Sequence, residues 1–119
     1  NSTDKIFTVE EEPTMSVITL TKDNFKEEVV LYEGRVLLDF YADWCAPCRM
    51  LATAIDKFDA KNGGEIKIGK INIDKEDFLA HLYNINAVPT LISIDKGEII
   101  QKSVGLIPQH MLDKIFDPV

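Results

Sequence analysis

Apolar residues recur along this chain with two periods, which predict strands and helices in alternation. Segments 16–20, 35–42 and 65–74 have strand length and are rich in β-branched or continuously apolar residues. Segments 23–32 and 50–58 carry apolar residues at helical spacing, and a glycine follows each of them. The first half of the chain therefore predicts three strands separated by two helices.

The second half adds a short helix, a hairpin and a last helix. We predict the short helix around 78–82, strands at 90–94 and 99–104 with a turn between them, and a final helix that begins at Pro108. The order β-α-β-α-β-α-β-β-α indicates an α/β protein. We expect a mixed central sheet of about five strands, flanked on both faces by about four helices.

Length and charge limit the classes of protein that this chain can belong to. With 119 residues it has the size of one domain, which we place at 15–119, after an acidic extension over 1–14 that should be a flexible, solvated tail. The net charge of −7 argues against binding nucleic acid, whose phosphates would be repelled. No apolar run approaches the roughly 20 residues that cross a bilayer. We expect a soluble monomer without a membrane anchor.

The start of the chain leaves its compartment open. It begins at Asn1, which suggests that a tag, an initiator methionine or an export signal was removed, and Met15 is an alternative start. We favour a cytoplasmic protein, and an exported or periplasmic one is the alternative.

The two cysteines, Cys45 and Cys48, form the only chemically reactive motif. As a structural staple they would close a very short loop and contribute only about 2 kcal/mol. A structural zinc site needs four ligands, and only His81 and His110, on separate predicted helices, could complete it. A redox pair fits best, because Cys45 lies at a helix N-terminus that favours its thiolate, with Cys48 one turn further in and less exposed.

Two neighbours of this pair also stand out. Asp39 is a carboxylic acid within an apolar strand, where burial should raise its pKa; a proton carrier and a hydrogen-bonded core carboxylate both fit. Trp44 directly precedes the first cysteine, and it fits either an exposed binding rim or the core.

Four ordered blocks of this sequence resemble the thioredoxin family. The block with the cysteines is Asp39-Phe40-Tyr41-Ala42-Asp43-Trp44-Cys45-Ala46-Pro47-Cys48-Arg49-Met50; the others are Lys70-Ile71-Asn72-Ile73-Asp74, Val88-Pro89-Thr90-Leu91 and Asn24-Phe25, with Gly97 and Val104-Gly105 also in place. The resemblance spans about 16–116. It implies the thioredoxin fold and a thiol-disulfide oxidoreductase that reduces protein disulfides, is recycled by a reductase, and uses no cofactor or metal.

The resemblance also implies roles for individual residues. Cys45 would be the nucleophile and Cys48 the resolving thiol, with Asp39 as the proton carrier and Lys70 as its charge partner; an exposed strand lysine is the alternative for Lys70. Pro89 would be a cis-proline facing the cysteines, next to backbone that pairs with an extended substrate segment. The implied substrate-binding residues are Trp44, Ala46, Pro47, Val88, Pro89, Gly105 and Leu106.

Four positions depart from the family's usual residues, and none removes a catalytic group. Ala46 replaces a glycine between the cysteines, Thr53 a helix-kinking proline, Tyr41 a frequent tryptophan, and Leu106 a smaller residue. Residues between the cysteines tune the redox potential. Two other functions therefore stay open: an exported oxidase, isomerase or substrate-specific reductase of the same fold, and a non-catalytic binding subunit.

Overall fold

The computed structural model describes residues 17–116 as one α/β unit. The predicted extension over 1–14 and the first residues of the predicted domain lie outside this part of the chain. The strands are β1 (Val17–Thr19), β2 (Arg35–Tyr41), β3 (Lys67–Asn72), β4 (Thr90–Asp95) and β5 (Glu98–Val104). The helices are a π-helical segment (Lys26–Val30), α1 (Ala46–Asn62), α2 (Asp77–Leu82) and α3 (Gln109–Ile115).

The five strands form one mixed sheet in the order β1-β3-β2-β4-β5. Strand β3 pairs in parallel with both β1 and β2, whereas β4 runs antiparallel to β2 and β5 antiparallel to β4. The predicted mixed sheet of about five strands with about four helices is confirmed. Strand β2 lies at its centre, and its carboxyl end leads directly into α1.

Apolar clusters cover both faces of this sheet. On one face the π-helical segment and α2 pack against β2, β3 and β4; the largest side chains there are Phe25 and Phe40. On the other face α1 and α3 pack against the same strands, with Phe58 and Phe116 buried between them. A central strand that is buried on both faces explains why the sequence of β2 is almost continuously apolar.

The first helix differs from the prediction. A helix was expected over 23–32, but the helical residues are Phe25 and Lys26–Val30, the latter with a π-type hydrogen bond from the Leu31 N–H to the Lys26 carbonyl. Lys67 on β3 binds this segment: its ammonium donates to the Glu28 carbonyl at 3.0 Å and to the Glu28 carboxylate at 2.7 Å. This carbonyl therefore has a partner outside the helix.

The ends of the other helices follow their local sequence closely. Helix α1 ends at Gly63, which adopts a left-handed conformation with φ 61°, as the glycine pair predicted. Pro108 was expected at the first helical position of α3 but is its N-cap, because its ψ of 158° is extended while its carbonyl accepts from Met111 and Leu112. Within residues 17–116, no helix is both long and apolar enough to cross a membrane.

Candidate active site

The two cysteines lie where β2 passes into α1. Cys45 is the N-cap of the helix, with extended backbone angles (φ −95°, ψ 108°), and Pro47 lies in the first turn. The Cys48 N–H donates to the Cys45 sulfur at 3.2 Å. A disulfide joins the two residues, whose Cα atoms are 5.3 Å apart. The sulfur of Cys45 therefore occupies the position where helix N–H groups stabilise a negative charge.

Both sulfurs are covered by neighbouring apolar residues. We expected Cys48 to be less exposed than Cys45, but this is wrong for the disulfide form, in which each residue is 5% exposed. Ile73 and Val88, from distant segments, pack on the cysteine cluster, and the Val88 carbonyl oxygen lies 3.8 Å from the Cys45 sulfur.

The loop that covers the pair contains the expected cis-proline. The Val88–Pro89 peptide bond is cis, as the resemblance implied. The Pro89 carbonyl accepts a hydrogen bond from the Gly105 N–H at 2.8 Å, so the end of β5 is fixed beside this loop. Gly105 has φ 95°, a conformation that favours glycine. Leu106 follows it and is exposed.

Trp44 lies on the surface next to the cysteines. It is 67% exposed, so its interpretation as a core residue is wrong. Its indole N–H donates to the Asp74 carboxylate at 3.0 Å, which holds the ring from the loop after β3. Ala46 and Pro47, at the start of the helix, are also exposed. An exposed, tethered aromatic ring beside a reactive sulfur is a typical contact surface for another protein.

Asp39 lies beneath the cysteines in the core. It is paired in register with Lys70 on β3, and its side chain is buried. Burial raises the pKa of Asp39 from its ordinary 3.8 to about 6, and the positive charge of Lys70 opposes this rise. A cavity of about 140 Å³ reaches this group; its lining residues are Asp39, Tyr41, Ala42, Asp43, Cys48, Arg49, Ala52 and Lys70.

Comparison with known proteins agrees with this geometry. The sequence model of the family described as "Thioredoxin" matches residues 16–117. The chain belongs to the thioredoxin family. It is 36% identical over 101 residues to "Thioredoxin" of Bacillus subtilis, an alignment that covers 85% of this chain and 95% of that protein. It is also 36% identical over 98 residues to "Thioredoxin 1" of a Nostoc species, covering 82% and 92%, and 37% identical over 90 residues to "Thioredoxin, mitochondrial" of Mus musculus, covering 76% and 54%.

Membership of the thioredoxin family and the Cys45–Cys48 pair together establish the class of activity. The chain is a protein-disulfide oxidoreductase of the thioredoxin type. Its substrates are in general proteins that contain disulfides, and a reductase recycles it. Within residues 17–116 there is no group of three or more His, Cys, Asp or Glu side chains that could hold a metal ion.

Sequence reasoning missed four residues of this thioredoxin-type site. Arg49 donates to the Asp43 carbonyl at 2.8 Å, and both line the cavity next to Asp39. Tyr41 lines it too, and Asp74 holds Trp44. The strand alternation contained a signal for Tyr41, since residues two apart on a strand share a face. Asp43 and Arg49 lie in the same segment as the cysteines and bond each other across six residues, whereas Asp74 comes from a distant loop, which no local pattern reports.

Proposed function

We propose that this chain reduces disulfides of other proteins, with Cys45 as the nucleophile and Cys48 as the resolving thiol. In the dithiol form, the Cys45 thiolate attacks one sulfur of a substrate disulfide. The substrate S–S bond breaks, its other sulfur leaves as a thiolate, and a mixed disulfide forms on Cys45. Deprotonated Cys48 then attacks the Cys45 sulfur and releases the second substrate thiol. Two electrons pass to the substrate, and the Cys45–Cys48 disulfide remains for a reductase to reduce.

The observation that carries this proposal is the hydrogen bond from the Cys48 N–H to the Cys45 sulfur at the start of α1. In the dithiol form the same N–H, together with the helix dipole, would stabilise a negative charge on the Cys45 sulfur and so favour its thiolate. Because Cys48 is joined to the same sulfur in the oxidised form, the resolving step needs no large movement of the backbone.

Proton transfer is assigned to Asp39, with Lys70 as its charge partner. Cys48 must lose a proton before it resolves the mixed disulfide, and both it and Asp39 line the same cavity. With a pKa of about 6, Asp39 is mostly ionised at neutral pH. Because this pKa is close to neutral pH, the carboxylate can both accept a proton and return it. Lys70 is the cation whose charge favours this ionised form.

The surface around Cys45 is assigned to substrate binding. An extended segment of the substrate would pair with the backbone beside Val88 and Pro89, as a short added strand. Apolar contacts on either side would come from the exposed or half-buried rim residues Trp44, Ala46, Pro47, Gly105 and Leu106. Because one chain supplies both cysteines and the facing loop, it acts as a monomer.

The direction of electron flow is assigned as reduction, in a reducing compartment such as the cytoplasm. A reductase must be returned to its dithiol form continuously, which an oxidising compartment opposes. Equilibration with a glutathione buffer measures the potential directly. A value near −270 mV supports this assignment, whereas a value near −120 mV would identify an exported oxidase.

Insulin reduction by dithiothreitol tests the assigned roles of the two cysteines. Cys45→Ser is expected to abolish catalysis, and Cys48→Ser to accumulate mixed disulfides with substrate proteins that dithiothreitol releases. Thr53→Ser, on the exposed side of the same helix, is the control and should keep full activity. Activity that persists in Cys45→Ser would refute the proposal. A partner retained by a variant without both thiols would instead identify a binding subunit.

A further inference from the structure

Three polar side chains share one face of the sheet beneath the cysteines. Asp39 and Tyr41 are two apart on β2, and Lys70 is paired with Asp39 on β3. The Lys70 ammonium lies 5.2 Å from the centre of the Tyr41 ring. This distance falls within the range of about 6 Å in which a cation is attracted to an aromatic face. All three residues line the cavity that Cys48 also reaches.

Besides the charge of Asp39, this ring is the partner that can hold the lysine at the cavity. A lysine side chain has four flexible carbons, and its ammonium is stabilised by full hydration when it turns outward. Tyr41 supplies a partner on the inner side, diagonal to Lys70 across the two strands, where long and aromatic side chains can meet.

The other charged groups near Asp39 do not replace this lysine. Asp43 carries the same charge as Asp39, and Arg49 directs its guanidinium to the Asp43 carbonyl at 2.8 Å. From β4 the residue paired with Asp39 is Leu91, which carries no charge. Lys70 is also the group whose positive charge lowers the pKa of Asp39 against the effect of burial.

We propose that Tyr41 is a positioning residue: its ring holds the Lys70 ammonium over the cavity that Asp39 and Cys48 share. This inference rests on the proposed function, in which Asp39 exchanges a proton with Cys48. Tyr41 packs beside the cysteine cluster but exchanges no proton itself. It acts through Lys70, and Lys70 acts on the ionisation of Asp39.

The test is a pH titration of the disulfide form of the full chain, in which NMR monitors the chemical shift of the Asp39 carboxyl carbon. Tyr41→Leu is expected to raise the pKa of Asp39 by about half a unit, a threefold change in its proton affinity. Tyr41→Phe should keep the original value, because it keeps the aromatic face. Lys70→Met should raise the pKa at least as far, and Tyr41→Leu should add no further shift in the Lys70→Met background.

Two results would overturn the inference. One is a Tyr41→Leu variant that is folded by circular dichroism and titrates like the original protein. The other is an equal shift in the Lys70→Met background, which would show that Tyr41 acts on the burial of Asp39 and not through the lysine. The titration needs no substrate, so it stays interpretable if insulin reduction fails. Where activity is present, the pH profile of kcat/KM should move with the pKa of Asp39.

Discussion

Replacing Asp39 by asparagine should stabilise the folded protein, and this stabilisation should grow with pH. The pKa of Asp39 rises on folding from 3.8 to about 6, because its carboxylate loses hydration in the core. An acid whose pKa is raised on folding does not lower the free energy of unfolding while it is protonated in both the folded and the unfolded state. The cost appears as the pH rises from about 4 to about 6, and it is complete above that range. A shift of about two units corresponds to roughly 3 kcal/mol at pH 8.

Urea unfolding of the disulfide form at pH 4 and pH 8 measures this effect. The gain in the free energy of unfolding from Asp39→Asn should be about 2–3 kcal/mol larger at pH 8 than at pH 4. Comparing the two pH values removes the contribution of the amide group itself, which does not titrate. Asp56→Asn, the same change on the exposed side of α1, is the control and should differ by less than about 0.5 kcal/mol.

A stabilisation by Asp39→Asn that is equal at the two pH values would refute the reasoning, because the burial of a charge would then not be its cause. The same variant should slow insulin reduction at pH 7, since the amide accepts no proton from Cys48. Stability and activity should therefore change in opposite directions, which a general loss of packing would not produce.

Two further substitutions test contacts between distant parts of the chain. Lys67→Met should lower the free energy of unfolding, measured with urea, by about 1–3 kcal/mol, because this half-buried ammonium bonds the π-helical segment. Lys57→Met, on the exposed side of α1, is the control and should leave the free energy of unfolding nearly unchanged. Equal losses of stability in the two variants would contradict this prediction. Asp74→Ala should shift the fluorescence of Trp44, the only tryptophan, and raise KM for insulin about threefold with little change in kcat. An unchanged spectrum would show that this bond does not hold the ring.

The order of the elements and the chemistry at their junction follow from local features of the sequence. Helix α1 begins at the cysteine pair and ends at Gly63 because capping, proline placement and apolar period are local properties. The acid within an apolar strand likewise identified Asp39 as unusual before its burial was known. Such features depend on residues within one or two turns of each other, so a single segment contains the information.

Which distant groups meet at the site depends on the packing of the whole fold. The burial of both cysteines depends in part on Val88, 40 or more residues away, and Trp44 is held from the loop after β3. Lys67 of β3 bonds a carbonyl at the centre of the π-helical segment, a contact that the periodicity of this segment does not report. These contacts depend on strand register and loop packing, which arise from the summed burial of both sheet faces. No single segment specifies the register or the packing, so these contacts at the site form only in the assembled fold.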